Sequence, residues 1–137
     1  MLGEGGFGNV FKGEWGKHLE VAIKAINIFA YGNAKETKKM VLGEIRFLVT
    51  IHHVNIVNLQ AICMEDKKVY LITEFCKGST LHSVIHDAEV KKEFCLTHKK
   101  IFKICEDLCN GVTYIHENNI LHRDIKPINI IIDKNLN

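Results

Sequence analysis

Asp124, Lys126 and Asn129 stand close together in the segment His122-Arg123-Asp124-Ile125-Lys126-Pro127-Ile128-Asn129. An acid, an amine and a carboxamide in one short loop offer a proton acceptor, a cation for phosphate and an oxygen ligand for Mg²⁺. A turn of this composition can equally be structural, so its meaning depends on what else the chain carries. A second reactive side chain, Lys24, ends the apolar run Val21-Ala22-Ile23-Lys24. An isolated lysine at a strand end usually extends to solvent. Here it shares its face with Ala22, whose small side chain leaves room for a flat ring. Glu44 is the best acidic partner for Lys24, because it lies beside Ile45 and Leu48 and is expected to face inward. Glu36 is the fallback, in a more polar stretch where a solvated role is favoured.

The third candidate is Gly3-Glu4-Gly5-Gly6-Phe7-Gly8, a GxGxxG pattern. Glycines let backbone N–H groups approach phosphates that a Cβ would obstruct. Taken alone, the pattern fits a glycine-rich terminal turn about as well. The dinucleotide-binding version needs a strand before the glycines and a helix after them. Only Met1 and Leu2 precede Gly3, and Asn9-Val10-Phe11-Lys12-Gly13 reads as a strand. The context disfavours a dinucleotide oxidoreductase and fits a hairpin lid with Val10 at its base.

Other reactive side chains take plainer readings. His82 and His86 have the i, i+4 spacing of a metal pair, but no third ligand is evident and a solvated helix face is favoured. Cys105 and Cys109 share that spacing and read as small core-facing residues. His52-His53 read as structural.

These residues need elements to hold them. Val21 to Ile26 and Val69 to Phe75 read as strands, the first by alternation and the second by its β-branched and aromatic content. Between them Lys35 to Val49 has helical spacing, with Val41, Ile45 and Leu48 at i, i+4 and i+7, although the interior Gly43 costs about 1 kcal/mol relative to Ala. Cys76-Lys77-Gly78-Ser79 is a turn-like break. Thr80 to Asp87 is a short helix candidate. Thr97 to His116 is a stronger one, with Ile101, Ile104, Cys105, Leu108, Val112 and Ile115 recurring every three or four residues and Thr97 as N-cap. Ile130-Ile131-Ile132 makes a short buried strand. Strands with one helix, then a hinge, then mostly helix is an α+β order in two lobes.

The chain has 137 residues, 47% of them apolar and 25% charged, about 0.9 of a typical domain. A net charge of +2 is too small to argue for nucleic acid or a membrane surface. Phe47 to Met64 lacks Asp, Glu, Lys and Arg, yet its His52, His53, Asn55, Asn58 and Gln60 are costly in hydrocarbon. It reads as a helix end, a loop and a strand, so no membrane segment is expected. Cys63, Cys76, Cys95, Cys105 and Cys109 are an odd number without a CxxC pair, which argues for reduced thiols and a cytoplasmic location. Nothing at the N-terminus resembles a signal peptide.

Taken together and in order, the loop GEGGFGNV, the VAIK strand, Glu44 and HRDIKPIN resemble the eukaryotic protein kinase family, the last fitting H-R-D-x-x-x-x-N. The resemblance covers essentially the whole chain. It implies a two-lobe kinase fold: a small β-rich lobe with the family's helix C over about 1–75, a hinge at 76–79, and the first part of the helical large lobe from 80 to 137. It implies ATP and Mg²⁺ as cofactors. Leu2, Gly3, Gly5, Gly8, Val10 and Ala22 would line the nucleotide, the glycines over the phosphates and Val10 over the adenine. Lys24 would meet the α- and β-phosphates while paired to Glu44. Thr73 falls at the gatekeeper position, Glu74 and Cys76 would offer backbone groups to the adenine edge, and Ile131 would close the adenine pocket from below. Asp124 matches the catalytic base, Lys126 the lysine that supports the γ-phosphate, and Asn129 a Mg²⁺ ligand.

A lysine two residues after the aspartate resembles the serine/threonine type of catalytic loop. Gly78-Ser79-Thr80-Leu81 resembles the tyrosine-kinase-like group of those kinases. Ile128 departs from the usual acidic residue before the asparagine. By the same resemblance the chain stops before the family's Asp-Phe-Gly turn, and Arg123 would ordinarily meet a phosphorylated activation loop. The expected function is transfer of the γ-phosphoryl of Mg-ATP to Ser or Thr of a protein substrate, by a domain incomplete in this chain. The alternative is a noncatalytic ATP-binding kinase-like module acting through protein partners.

Overall fold

The computed structural model describes residues 3–5, 8–27, 34–65 and 68–134. Its contacts divide the chain into two units, one of residues 1–52 and 56–75, the other of 53–55 and 76–137. The first is built on an antiparallel sheet of order β1-β2-β3-β5-β4. Its strands are β1 (Gly3–Gly5), β2 (Gly8–Trp15), β3 (Leu19–Asn27), β4 (Leu59–Glu65) and β5 (Lys68–Glu74), with helix α1 (Ala34–Thr50) between β3 and β4. The strands expected around Val21–Ile26 and Val69–Phe75 are β3 and β5.

Register explains how this unit closes. Lys24 lies opposite Leu71, and Ile26 opposite Val69. Residues two apart on a strand share a face, so Lys24 is on the same side of the sheet as Ile26, Val69 and Leu71. Those three are at most 2% exposed, and Ile45 and Leu48 of α1 pack on them together with Leu59 and Ile62. Burying each such side chain contributes about 1.5–3 kcal/mol. The helical spacing therefore located the packing stripe of α1 correctly at Ile45 and Leu48. Val41's side chain lies outside the described residues.

The second unit begins with β6 (Gly78–Thr80), which pairs with β7 (Ile131–Asp133). Its helices are α2 (Leu81–His86), α3 (Ala88–Phe94) and α4 (His98–Glu117). Val84, Phe94, Ile104 and Ile132 form its core, flanked by Leu81, Val90, Leu96 and Ile130. From Gly78 on, the break read at 76–79 is thus a strand. Helix α3 is an addition to the sequence reading. It carries only Val90 and Phe94 as large apolar residues, too short a stripe to register as a period.

Side-chain oxygens cap all three helices. Thr80 accepts from the Ser83 N–H at 3.1 Å, and Thr97 accepts from that of Lys100 at 3.3 Å, as expected for Thr97. Asp87 ends α2 and starts α3: its Oδ1 accepts from the N–H groups of Glu89 (2.9 Å) and Val90 (3.1 Å). Losing such a cap costs about 1 kcal/mol. Asp87→Ala is accordingly expected to lower Tm by a few degrees, read by thermal unfolding, whereas Asp87→Asn retains most of the stability.

On α4 the buried residues are Ile104, Gly111 and Ile115. Cys105 and Cys109 are exposed, which corrects the core-facing reading. Each follows a seam position (Ile104, Leu108) by one residue, a rotation of about 100° around the axis. Among the described residues no helix is long and apolar enough to cross a membrane.

Candidate active site

After α4 the chain turns sharply. Asn119 and Arg123 adopt left-handed backbone conformations, with φ of 59° and 62°, uncommon for residues with a Cβ. The turn at Arg123 is closed by His122, whose Nδ1 accepts from the Asp124 N–H at 3.2 Å. The same device recurs at His53, whose Nδ1 accepts from the Asn55 N–H at 3.1 Å and whose ring lies against Tyr114. In both places an imidazole nitrogen two residues upstream does the work that an Asx side chain does in ordinary turns.

Pro127 then opens a single 3-10 turn, Pro127–Asn129, in which the Asn129 N–H reaches the Lys126 carbonyl at 2.9 Å. This turn brings three candidate side chains together. Lys126 Nζ is 2.8 Å from Asp124 Oδ1. Asn129 Nδ2 donates to Asp124 Oδ2 at 2.8 Å and to the Asp124 carbonyl at 2.9 Å. Both carboxylate oxygens are thus held, and the hydrogen bond from Lys126, followed by that from Asn129, keeps the Asp124 carboxyl below its ordinary value. With its nitrogen committed, Asn129 presents Oδ1 as a hard oxygen donor. Residues 121–129 of the loop are all exposed. Its far end is pinned to the core: the Leu81 N–H donates to the Ile130 carbonyl at 2.8 Å, and Ile132 is 4% exposed. Ile131 points the other way and is exposed, as strand alternation requires.

In the sheet unit, β1 and β2 form the expected hairpin, with Gly3 opposite Val10 and Gly5 opposite Gly8. Val10 in turn lies opposite Lys24, and Ala22 opposite Thr73. One face of the sheet therefore carries Val10, Ala22, Lys24 and Thr73 in adjacent rows, with the glycine hairpin at its edge. Lys24 and Ala22 are both half-buried. Leu2 lies outside the described residues. Glu44 belongs to α1 by its backbone, and its side chain also lies outside them. Glu36 is exposed on the first turn of that helix.

Glu74 engages Asn58 through both its side chain and its backbone: Oε1 accepts from Asn58 N at 2.7 Å and Nδ2 at 2.8 Å, while the Glu74 N–H donates to the Asn58 carbonyl at 3.0 Å. The Thr73 hydroxyl donates to the Glu74 carbonyl at 3.3 Å. Cys76 is half-buried. Sequence reasoning gave no role to Asn58 or to the ring of His122. It also passed over Lys12, which pairs with Glu20 and sits 4.4 Å over the Phe75 ring. Only His122 had a legible signal, the H-x-D spacing that reappears as H-x-N at His53.

The family description "Protein kinase domain" matches residues 1–137. The chain belongs to the protein kinase family. Its relatives include kinases of both acceptor types. It is 30% identical to a human tyrosine-protein kinase, TXK, over 96% of this chain and 23% of that protein. A probable serine/threonine-protein kinase of Dictyostelium discoideum is 36% identical over 99% of this kinase chain and 14% of its own length. Human kinase suppressor of Ras 2 is 34% identical over 97% and 13%. The chain thus spans less than a quarter of the length of each of these relatives. The sheet unit and the helical unit are those of the kinase fold.

Proposed function

We propose that this kinase chain binds Mg-ATP and directs its γ-phosphoryl to Ser or Thr hydroxyls of a protein substrate. One observation carries the reading: the Asp124 carboxylate, exposed and ionised, is held on both oxygens by Lys126 and Asn129. A substrate hydroxyl placed at that carboxylate is oriented for in-line attack. As its oxygen bonds to the γ-phosphorus and the bond to the β-bridging oxygen breaks, releasing ADP, Asp124 accepts its proton. Lys126, on the same carboxylate, neutralises charge on the phosphoryl being moved. The residues suit the cofactors. Asn129 Oδ1 would hold Mg²⁺, the glycine hairpin would cover the phosphates and Lys24 would meet them. Mg²⁺ held there would offset the charge of the phosphates. The preference for Ser/Thr rests on the placing of Lys126 two residues after Asp124.

Lys24→Met in the full-length protein tests the nucleotide side. Removing a cation from a half-buried position beside phosphates is expected to weaken ATP binding about tenfold or more, because charges interact more strongly there than in water. Titration with a fluorescent ATP analogue measures it. Undiminished binding and phosphotransfer by Lys24→Met would overturn the assignment. Paired serine and tyrosine peptides decide the acceptor, and ATP binding without transfer to either would favour a noncatalytic, partner-directed role.

A further inference from the structure

We propose that His82 and His86 form a two-imidazole site for a divalent transition-metal cation of the Zn²⁺ class. Both are on α2 at i and i+4, both are exposed, and their ring centroids are 4.7 Å apart with the planes inclined at 46°. With metal–nitrogen bonds of about 2.1 Å and the tetrahedral angle that Zn²⁺ favours, two imidazoles on one cation hold their centroids roughly 5.2 Å apart. At 4.7 Å the rings stand about half an ångström inside that separation, a difference that a small side-chain rotation takes up.

Their backbone is held as well. Val84, between them on the opposite side of the helix, is fully buried, and Thr80 caps the first turn. Little ordering remains to be done when a cation arrives, because the second ligand binds at high effective concentration once the first is engaged. Imidazole pairs suit Zn²⁺, Ni²⁺ and Cu²⁺ in preference to Mg²⁺ or Ca²⁺. Among the described residues no group of three or more His, Cys, Asp or Glu is arranged for a metal. Two histidines supply the protein ligands, and water completes the shell. Neither residue belongs to the nucleotide or catalytic set, so the site stands apart from phosphoryl transfer.

The test is a Zn²⁺ titration of the protein labelled with ¹⁵N-histidine at pH 7.5, following the imidazole signals. His82 and His86 are expected to shift together along one saturation curve. His82→Asn and His86→Asn, each checked for an unchanged amide spectrum, are each expected to weaken binding about tenfold or more. Variants that bind Zn²⁺ as tightly as the parent would overturn the site. So would shifts confined to the other six histidines or to the cysteines, of which the chain has eight and five in all.

Discussion

Asp124→Asn in the full-length kinase is expected to lower kcat by about 10²–10⁴-fold, the range for losing a positioned proton acceptor, while KM for ATP stays within about twofold. The asparagine keeps the shape of the side chain and its contact with Asn129, but has no carboxylate to orient the hydroxyl or take its proton. Steady-state kinetics on a serine peptide, with ATP and peptide varied in turn, separates the two parameters. An equal loss of ATP affinity would make Asp124 a structural or metal-anchoring residue.

The pH profile carries the sign of the same interaction. Lys126 and Asn129 hold the Asp124 carboxyl below its ordinary value, so it stays ionised as pH falls until that lowered value is reached. Any contribution of the pair to folding follows the same direction: it is present above the unfolded-state value and is lost as pH falls through the folded one. Lys126→Ala removes the largest cause of the depression, so the acid limb of activity should move upward toward the normal aspartate range. A limb that stays in place would mean that Asp124 does not set it.

Gly78→Ala has the largest expected effect on the fold. A Cβ built on Gly78 would stand 1.9 Å from the Ile132 carbonyl oxygen and 2.8 Å from its carbon. These are backbone atoms of the paired strand, so no side chain can swing aside. Either β6 and β7 separate, or the strand carrying Ile132 withdraws from Val84, Phe94 and Ile104. Overpacking of this kind typically costs about 1–3 kcal/mol, a large part of a domain's margin. Denaturant unfolding should show a lower midpoint. Because Asn129 sits only just before β7, turnover should fall as well. An unchanged midpoint would show that the two strands can part without loss.

The elements themselves were readable along the chain wherever a period was long enough. Val21–Ile26, Lys35–Val49 and Thr97–His116 each repeat their apolar residues at strand or helix spacing, Val69–Phe75 is marked by its β-branched and aromatic content, and Thr97 marks its own helix start. The hairpin with Val10 at its base was legible too, whereas the pairing of Val10 with Lys24 is a matter of strand register that the structure supplied. The motif order, too, was enough to point to the family.

Tertiary structure decided what depends on partners far along the chain. Gly78–Thr80 looks like a turn until Ile131–Asp133 arrives to pair with it. The buried side of α4 is set by Val84, Phe94 and Ile132, which is why Cys105 and Cys109 lie outside while Ile104 lies inside. Asp124, Lys126 and Asn129 could be seen to be near one another. That two of them grip the two oxygens of the third was not visible, since it depends on the left-handed turn at Arg123, the nitrogen of His122 and the 3-10 turn after Lys126. Periodicity reports which face of an element is apolar; it carries no information on the dihedral angles of an aperiodic loop or on which distant strand will meet it.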